Sequence, residues 1–212
     1  MKISRLAALA LLALSASALA GMEEDVARVR HEWERVKYQV PQKEQEAALD
    51  RLAKESGKVA AQFANQAEPA IWHGIVEATY AGAKGGLGAL SLAKSAKKSF
   101  EHALTIDPKA LQGSAYTSLG SLYYQVPGWP LGFGDDKKAA ELLEKGLALN
   151  PAGIDANFFY GDFLFRAGDY AGAERALRKA LQAAPREGRA VADEGRRREI
   201  DALLEKIREK TR

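Results

Sequence analysis

Ala139-Ala140-Glu141-Leu142-Leu143-Glu144-Lys145-Gly146-Leu147-Ala148-Leu149-Asn150-Pro151 and Ala173-Glu174-Arg175-Ala176-Leu177-Arg178-Lys179-Ala180-Leu181-Gln182-Ala183-Ala184-Pro185 are two copies of one pattern, and their closing prolines stand 34 residues apart. A third copy runs Ala96-Lys97-Lys98-Ser99-Phe100-Glu101-His102-Ala103-Leu104-Thr105-Ile106-Asp107-Pro108. In each copy a small residue (Ala96, Ala139, Ala173) is followed four positions on by a large apolar one (Phe100, Leu143, Leu177). Three positions later comes a second small residue (Ala103, Gly146, Ala180). Spacings of three and four place these side chains on one face of an α-helix. The small residues let a second helix approach closely, and the large one fills the groove beside it. The proline then ends the helix, because it has no N–H to donate and disfavours helix in the residue before it.

A first helix precedes each copy. In the last unit it covers Asp155 to Ala167, with Tyr160-Gly161 and Leu164 facing the second helix, and Gly168-Asp169-Tyr170 forms the turn, Gly168 in the C′ position. In the unit before, Tyr116, Leu119-Gly120 and Tyr123 take the same parts. The period, the small/large alternation and the proline stop resemble the tetratricopeptide repeat over residues 70–185. That resemblance implies an all-α chain of stacked antiparallel helix pairs, a right-handed α-solenoid with a concave binding face.

The remaining segments fit around the array. Glu23 to Gln39 and Gln42 to Asn65 are helical stretches broken at Val40-Pro41, a degenerate first unit within residues 21–69. Trp72 to Lys84 begins the next unit. Residues 186–212 carry Ile200, Leu203, Leu204 and Ile207 at helical spacing and read as a capping helix, with Glu194/Arg198 and Arg197/Asp201 as supporting pairs. Acids interleave Arg196-Arg197-Arg198, so this run is expected on the solvated face.

Residues 1–20 read as a secretory signal. Lys2 and Arg5 precede the apolar run Leu6 to Leu14, and Ala18-Leu19-Ala20 offers small residues at a cleavage site. The run is too short to span a bilayer. The expected mature chain is periplasmic or secreted and begins at Gly21. The sequence has no cysteine, which excludes disulfides, thiol chemistry and Cys-based zinc sites. Its formal charge of +3 includes Lys2 and Arg5. The mature chain is therefore close to neutral, a poor match to nucleic acid.

Two places depart from the repeat. About seven extra residues fall within Val126-Pro127-Gly128-Trp129-Pro130-Leu131-Gly132-Phe133-Gly134-Asp135, and a similar excess lies around Gly82 to Gly88. The first is a turn by its Pro and Gly content, yet it carries Trp129, Leu131 and Phe133. Such residues either fold back on the array or present a contact surface. Gly85-Gly86-Leu87-Gly88 lacks the Gly-Lys-Ser/Thr ending of a phosphate loop and reads as a connector. His31, His73 and His102 are dispersed and form no known metal-ligand motif, and no hydrolase elbow occurs. Neither a metal nor another cofactor is expected, and the chain reads as non-catalytic.

In the tetratricopeptide family the first helices line the concave face. By position, the resemblance places His73, Glu77 and Tyr80 there, then Ser114, Thr117, Ser121 and Tyr124, then Asp155, Phe158, Asp162 and Phe165, with Trp129 and Phe133 as a lip. This implies a scaffold for another envelope or periplasmic protein, or alternatively a carrier of a small apolar or amphiphilic ligand. The loop at 127–135 and the general layout are similar to the repeat-containing T component of tripartite periplasmic solute transporters. That likeness implies a solute-binding protein as partner, together with homo-oligomerisation. Mass spectrometry of the exported protein should find Gly21 at its N-terminus; an unprocessed chain in the envelope would contradict the leader.

Overall fold

Where the sequence alternates small and large residues at helical spacing, the chain folds as helix, and where Pro or Gly interrupts, it turns. The computed structural model describes the backbone of residues 3–212; Met1, Lys2 and the side chains of residues 3–19 and of Leu87 lie outside the described residues, so the leader motif is largely beyond them. In chain order the helices are α1 (Ile3–Gln39), α2 (Gln42–Gln62), α3 (Ala67–Lys84), α4 (Gly86–Ile106), α5 (Ser114–Gln125), α6 (Asp136–Leu149), α7 (Ile154–Arg166), α8 (Tyr170–Leu181) and α9 (Ala190–Thr211). A short 3-10 turn, Ala110–Gly113, leads into α5. Strands are absent among the described residues save for one bridge, between Gly128 and Gly134. The molecule is an all-α solenoid of four helix hairpins followed by a capping helix.

Local chemistry sets the boundaries. Pro41, at φ −55° and ψ 139°, separates α1 from α2. Asp135 caps α6 by accepting from the Lys138 amide at 3.0 Å, and Asp169 caps α8 by accepting from the Gly172 amide at 2.8 Å. Gly168 takes φ 83° and ends α7, the left-handed conformation that favours glycine. The excess around Gly82 to Gly88 does not form a loop. It lengthens α3 and α4 to 18 and 21 residues, and Gly85, at φ 64°, makes the turn between them.

Hairpin packing repeats from unit to unit. A Cβ at Gly74 of α3 would stand 2.6 Å from the Phe100 ring of α4. One at Gly120 of α5 would stand 2.9 Å from Leu143 of α6, and one at Gly161 of α7 would stand 2.9 Å from Leu177 of α8. These are equivalent positions, so the interlock fixes the register of three successive hairpins. Ala96, Ala103, Ala139, Ala173 and Ala180 are all fully buried beside them. The capping stripe Ile200, Leu203, Leu204 and Ile207 packs with Ile154, Phe158 and Leu177 in one core cluster.

The basic run at the start of α9 departs from the sequence expectation. Only Arg198 lies on the solvated face, paired with Glu194. Arg196 is buried, and Arg197 donates to the carbonyls of Leu181 and Ala183 at 2.6 and 2.9 Å, closing the C-terminus of α8 instead of pairing with Asp201. Acids near a basic run in sequence do not ensure solvation when unsatisfied helix-end carbonyls lie within reach.

Replacing Leu177 with Ala removes the knob seated on Gly161. Denaturant unfolding should show a loss of about 2–5 kcal/mol, with far-UV circular dichroism of the folded state unchanged.

Candidate functional site

The first helices of the hairpins, α1, α3, α5 and α7, surround an interior that α9 closes. On one side α9 packs on the last hairpin. On the other it reaches back to α1. Gly195 allows this approach, since a Cβ there would collide with the Tyr38 ring. Tyr38 donates to Glu199 at 3.4 Å, Lys37 pairs with the same carboxylate at 3.3 Å, and Arg189 pairs with the buried Glu34. Ala192 joins Val26, Val29, Trp33 and Trp72 in one apolar cluster. The first and last helices are thus neighbours, and the concave side of the array becomes a cavity of about 890 Å³.

Asp155, at the start of α7, ties α9 to the array. Its carboxylate meets Arg196 at 2.8 Å and Arg186 at 2.6 Å, and Arg186 also meets Asp193 at 2.6 Å. Burial alone would raise the Asp155 carboxyl. The guanidiniums of Arg196 and Arg186 outweigh it and hold the group well below the usual carboxylate range. Its side chain is about a third accessible, and that surface faces the cavity it helps to line. The Arg196 guanidinium also stacks over Phe158 and Phe159, 4.2 and 4.7 Å from their ring centroids.

The cavity wall mixes cationic, aromatic and amide side chains. It holds the cations Arg30, Lys37, Arg186, Arg189 and Arg196, the apolar residues Trp33, Trp72, Ile75, Phe158 and Phe159, and the amides Gln45 and Gln125. Leu111 and Gln112 belong to the same wall, with φ of 47° and 56°. Two successive non-glycine residues in the left-handed region cost of order 1–3 kcal/mol each. The neighbouring Gly113, at φ 78°, is fixed by Leu149, which a Cβ there would meet at 2.7 Å.

The residues assigned by position divide. Thr117, Ser121, Phe158 and Asp162 line the cavity, as do Ser114 and Asp155. Tyr124 lies behind Asp162, donating to it at 2.8 Å; burial, then Asp162, raises its hydroxyl well above the ordinary value. Phe165 packs at a tilt against Tyr170, with ring centroids 5.6 Å apart. His73, Glu77 and Tyr80 face other helices: His73 meets Ser56 of α2 at 2.9 Å, Glu77 meets Ser99 of α4 at 3.4 Å, and Tyr80 meets Asp50 of α2 at 3.3 Å. Phe133 packs edge-on against Tyr123 with centroids 5.5 Å apart, whereas Trp129 is 90% exposed.

Ser56, His73 and Glu77 stand in the order of a hydrolase relay, with Glu77 3.6 Å from His73. Ser56 is only 1% exposed, outside the cavity wall, and its hydroxyl also donates to the Ala53 carbonyl. The trio is a polar contact between helices. Burial lowers the His73 pKa against the pull of Glu77, which favours the neutral ring. No cluster of His, Cys, Asp or Glu among the described residues could hold a metal ion.

Arg30, Trp33, Trp72, Arg186, Arg189 and Arg196 were not anticipated as wall residues. For Arg30, Trp33 and Trp72 the signal was present as Arg30/Trp33/Lys37 and Trp72/Ile75/Thr79, each spaced three then four, whereas Arg186, Arg189 and Arg196 had none. The wall of α3 is turned by one position from the assigned stripe at His73, Glu77 and Tyr80.

The tetratricopeptide repeat family model matches residues 131–193, from the loop before α6 to the start of α9. The fold is a tetratricopeptide-like helical repeat. Among solved structures, that of MamA shares 21% identity and covers 80% of this chain and 92% of its own, with a TM-score of 0.45. That of PilF from Pseudomonas aeruginosa shares 14% identity and covers 87% of this chain and 90% of its own, with a TM-score of 0.36. No curated protein matches the chain in sequence.

Glu34→Ala strands Arg189 in the α1–α9 seam and should cost about 3–5 kcal/mol in unfolding. Asp155 adds a pH dependence with a definite sign. Its folded pKa is depressed, so its stabilisation is complete above the ordinary value of about 3.9 and is lost as pH falls below that. Asp155→Asn should flatten the decline in stability between neutral and acid pH; an unchanged profile would show that the group does not carry this linkage.

Proposed function

We propose that this protein is an exported, non-catalytic scaffold that holds another envelope protein through the loop between α5 and α6. One observation carries the reading: Trp129 and Leu131 are 90% and 73% exposed on a loop that is itself braced. The Gly134 amide donates to the Pro127 carbonyl at 2.9 Å, the Leu131 and Gly132 amides donate to the Gly128 carbonyl at 3.1 Å, and the Asp135 amide donates to the Tyr123 carbonyl at 2.9 Å. Phe133 anchors the base of the loop on Tyr123. Two large apolar side chains on a fixed tip lose little conformational entropy on docking, and a buried Trp is a common energetic anchor of interfaces. The similarity of this loop to the transporter T component favours a solute-binding protein as the partner and homo-oligomerisation as the working state.

A second reading has its own observation. Because α9 closes on α1, the inner face is a cavity whose volume lies within the range of organic-ligand sites. This favours a small-ligand carrier over a groove that takes extended peptide.

A photo-crosslinking residue in place of Leu131, introduced in living cells, should trap one defined envelope protein. Trp129→Ala should reduce capture about tenfold or more, as expected for an interface hot spot, while helix content stays constant. Absence of any protein adduct would remove the scaffold reading and leave the carrier.

A further inference from the structure

We propose that the cavity binds an uncharged polyhydroxylated molecule, a short sugar, at a polar corner built by Gln112, Ser114, Ser118 and Asn150. This deepens the carrier reading and rests on it.

The charged side chains of the wall are already matched. Asp155, Asp193 and Glu199 hold Arg186 and Arg196, Glu34 holds Arg189, Glu199 also takes Lys37, and Asp162 takes Arg166. Arg30 faces Glu68, whose carboxyl is raised by burial and drawn back down by Arg30. Acids and cations are equal in number in this set. A ligand with net charge would enter without a counter-ion, and burying an unpaired charge is costly. The neutral polar groups of the wall are the accessible ones: Gln112 is exposed, and Ser114, Ser118 and Asn150 are half-buried.

The backbone sets the corner. Ser114 and Ser118 stand one turn apart on α5 and share its inner face. Gln112 precedes them at φ 56°, next to Leu111 at φ 47°. Gly113 lies under Leu149, and Asn150 follows Leu149, so Gln112, Ser114 and Asn150 reach the wall from adjoining positions. Strained backbone held in place by its surroundings gathers at ligand sites. Here it falls on two residues of the wall.

Hydroxyls and primary amides both donate and accept hydrogen bonds. A sugar hydroxyl does the same, so each contact can be met in either direction. An alkyl chain would leave these groups unpaired, and a carboxylate or an ammonium meets them in one direction only. Because α9 closes on α1, the interior is bounded, which suits a compact sugar more than an extended peptide.

Calorimetric titration of the full chain with maltotriose, the glucosamine trimer and trigalacturonate compares a neutral, a cationic and an anionic trisaccharide. Maltotriose should bind at least about tenfold more tightly than either charged trimer, the scale of one uncompensated polar group. Ser118→Ala should weaken maltotriose about threefold to tenfold, the scale of one neutral hydrogen bond. Gln112→Gly should weaken it by a similar factor. The same variant should keep or raise the midpoint of denaturant unfolding, since glycine accepts the left-handed backbone that glutamine strains. Gln112→Asn, still an amide and tolerant of that backbone, should retain part of the affinity. Equal binding of the three trimers, or maltotriose binding indifferent to both Gln112→Gly and Ser118→Ala, overturns the polar corner. Failure of all three trimers to bind overturns the sugar as ligand. Native mass spectrometry of the protein isolated from the envelope then separates the two readings: a bound small molecule of another class keeps the carrier, and an empty chain removes it as well.

Discussion

The return of α9 to α1 is the contact on which the interior of this molecule depends. A tetratricopeptide-like array left open would present its first helices as a groove. Here the last helix carries Arg189 to Glu34 and Gly195 to Tyr38, and the groove becomes a cavity. The seam is built from a buried ion pair and a glycine contact, so it is specific in geometry. A buried pair stabilises little in net terms, but removing one partner is costly, which makes such a pair a strong determinant of position. On the other side of α9, Asp155 holds Arg186 and Arg196 together, and Arg196 stacks on the aromatic wall. The charged network that anchors the cap is therefore also part of the cavity surface.

The hairpins were legible in the sequence because their determinants are local. Small and large residues at spacings of three and four, with proline after them, specify both the helices and the close approach of each pair. Gly120 under Leu143 and Gly161 under Leu177 follow from that pattern directly. Closure was not legible, because it joins residues at opposite ends of the chain: Glu34 and Arg189 have no sequence relation that marks them as partners. The Arg196-Arg197-Arg198 run illustrates the same limit. Its three side chains go to a buried carboxylate network, to the end of α8 and to solvent, and only tertiary position separates them.

The candidate site was half legible for a similar reason. Thr117, Ser121, Phe158 and Asp162, assigned by repeat position, line the cavity. In α3 the same rule selected His73, Glu77 and Tyr80, which pack against α2 and α4. That helix is longer than the repeat requires and meets α1 as well as its hairpin partner, so its inner stripe turns by one residue. The exposed Trp129 and the inward Phe133 divide the loop between a display role and an anchoring role, a distinction that composition could not make. The molecule thus offers two separate surfaces, a partly open cavity on the inner side of the helices and a hydrogen-bonded loop that exposes Trp129 and Leu131.

The closure of α9 on α1 can be measured directly, since the chain contains no native cysteine. Lys37→Cys and Glu199→Cys place one thiol on each side of the seam, where the native side chains meet at 3.3 Å. A short bismaleimide should link the two within a single monomer, rapidly and in high yield, seen as an intact-mass increment of one linker. Independent labelling of each thiol, or links formed only between molecules, would mean that the first and last helices stand apart and that the interior is an open groove.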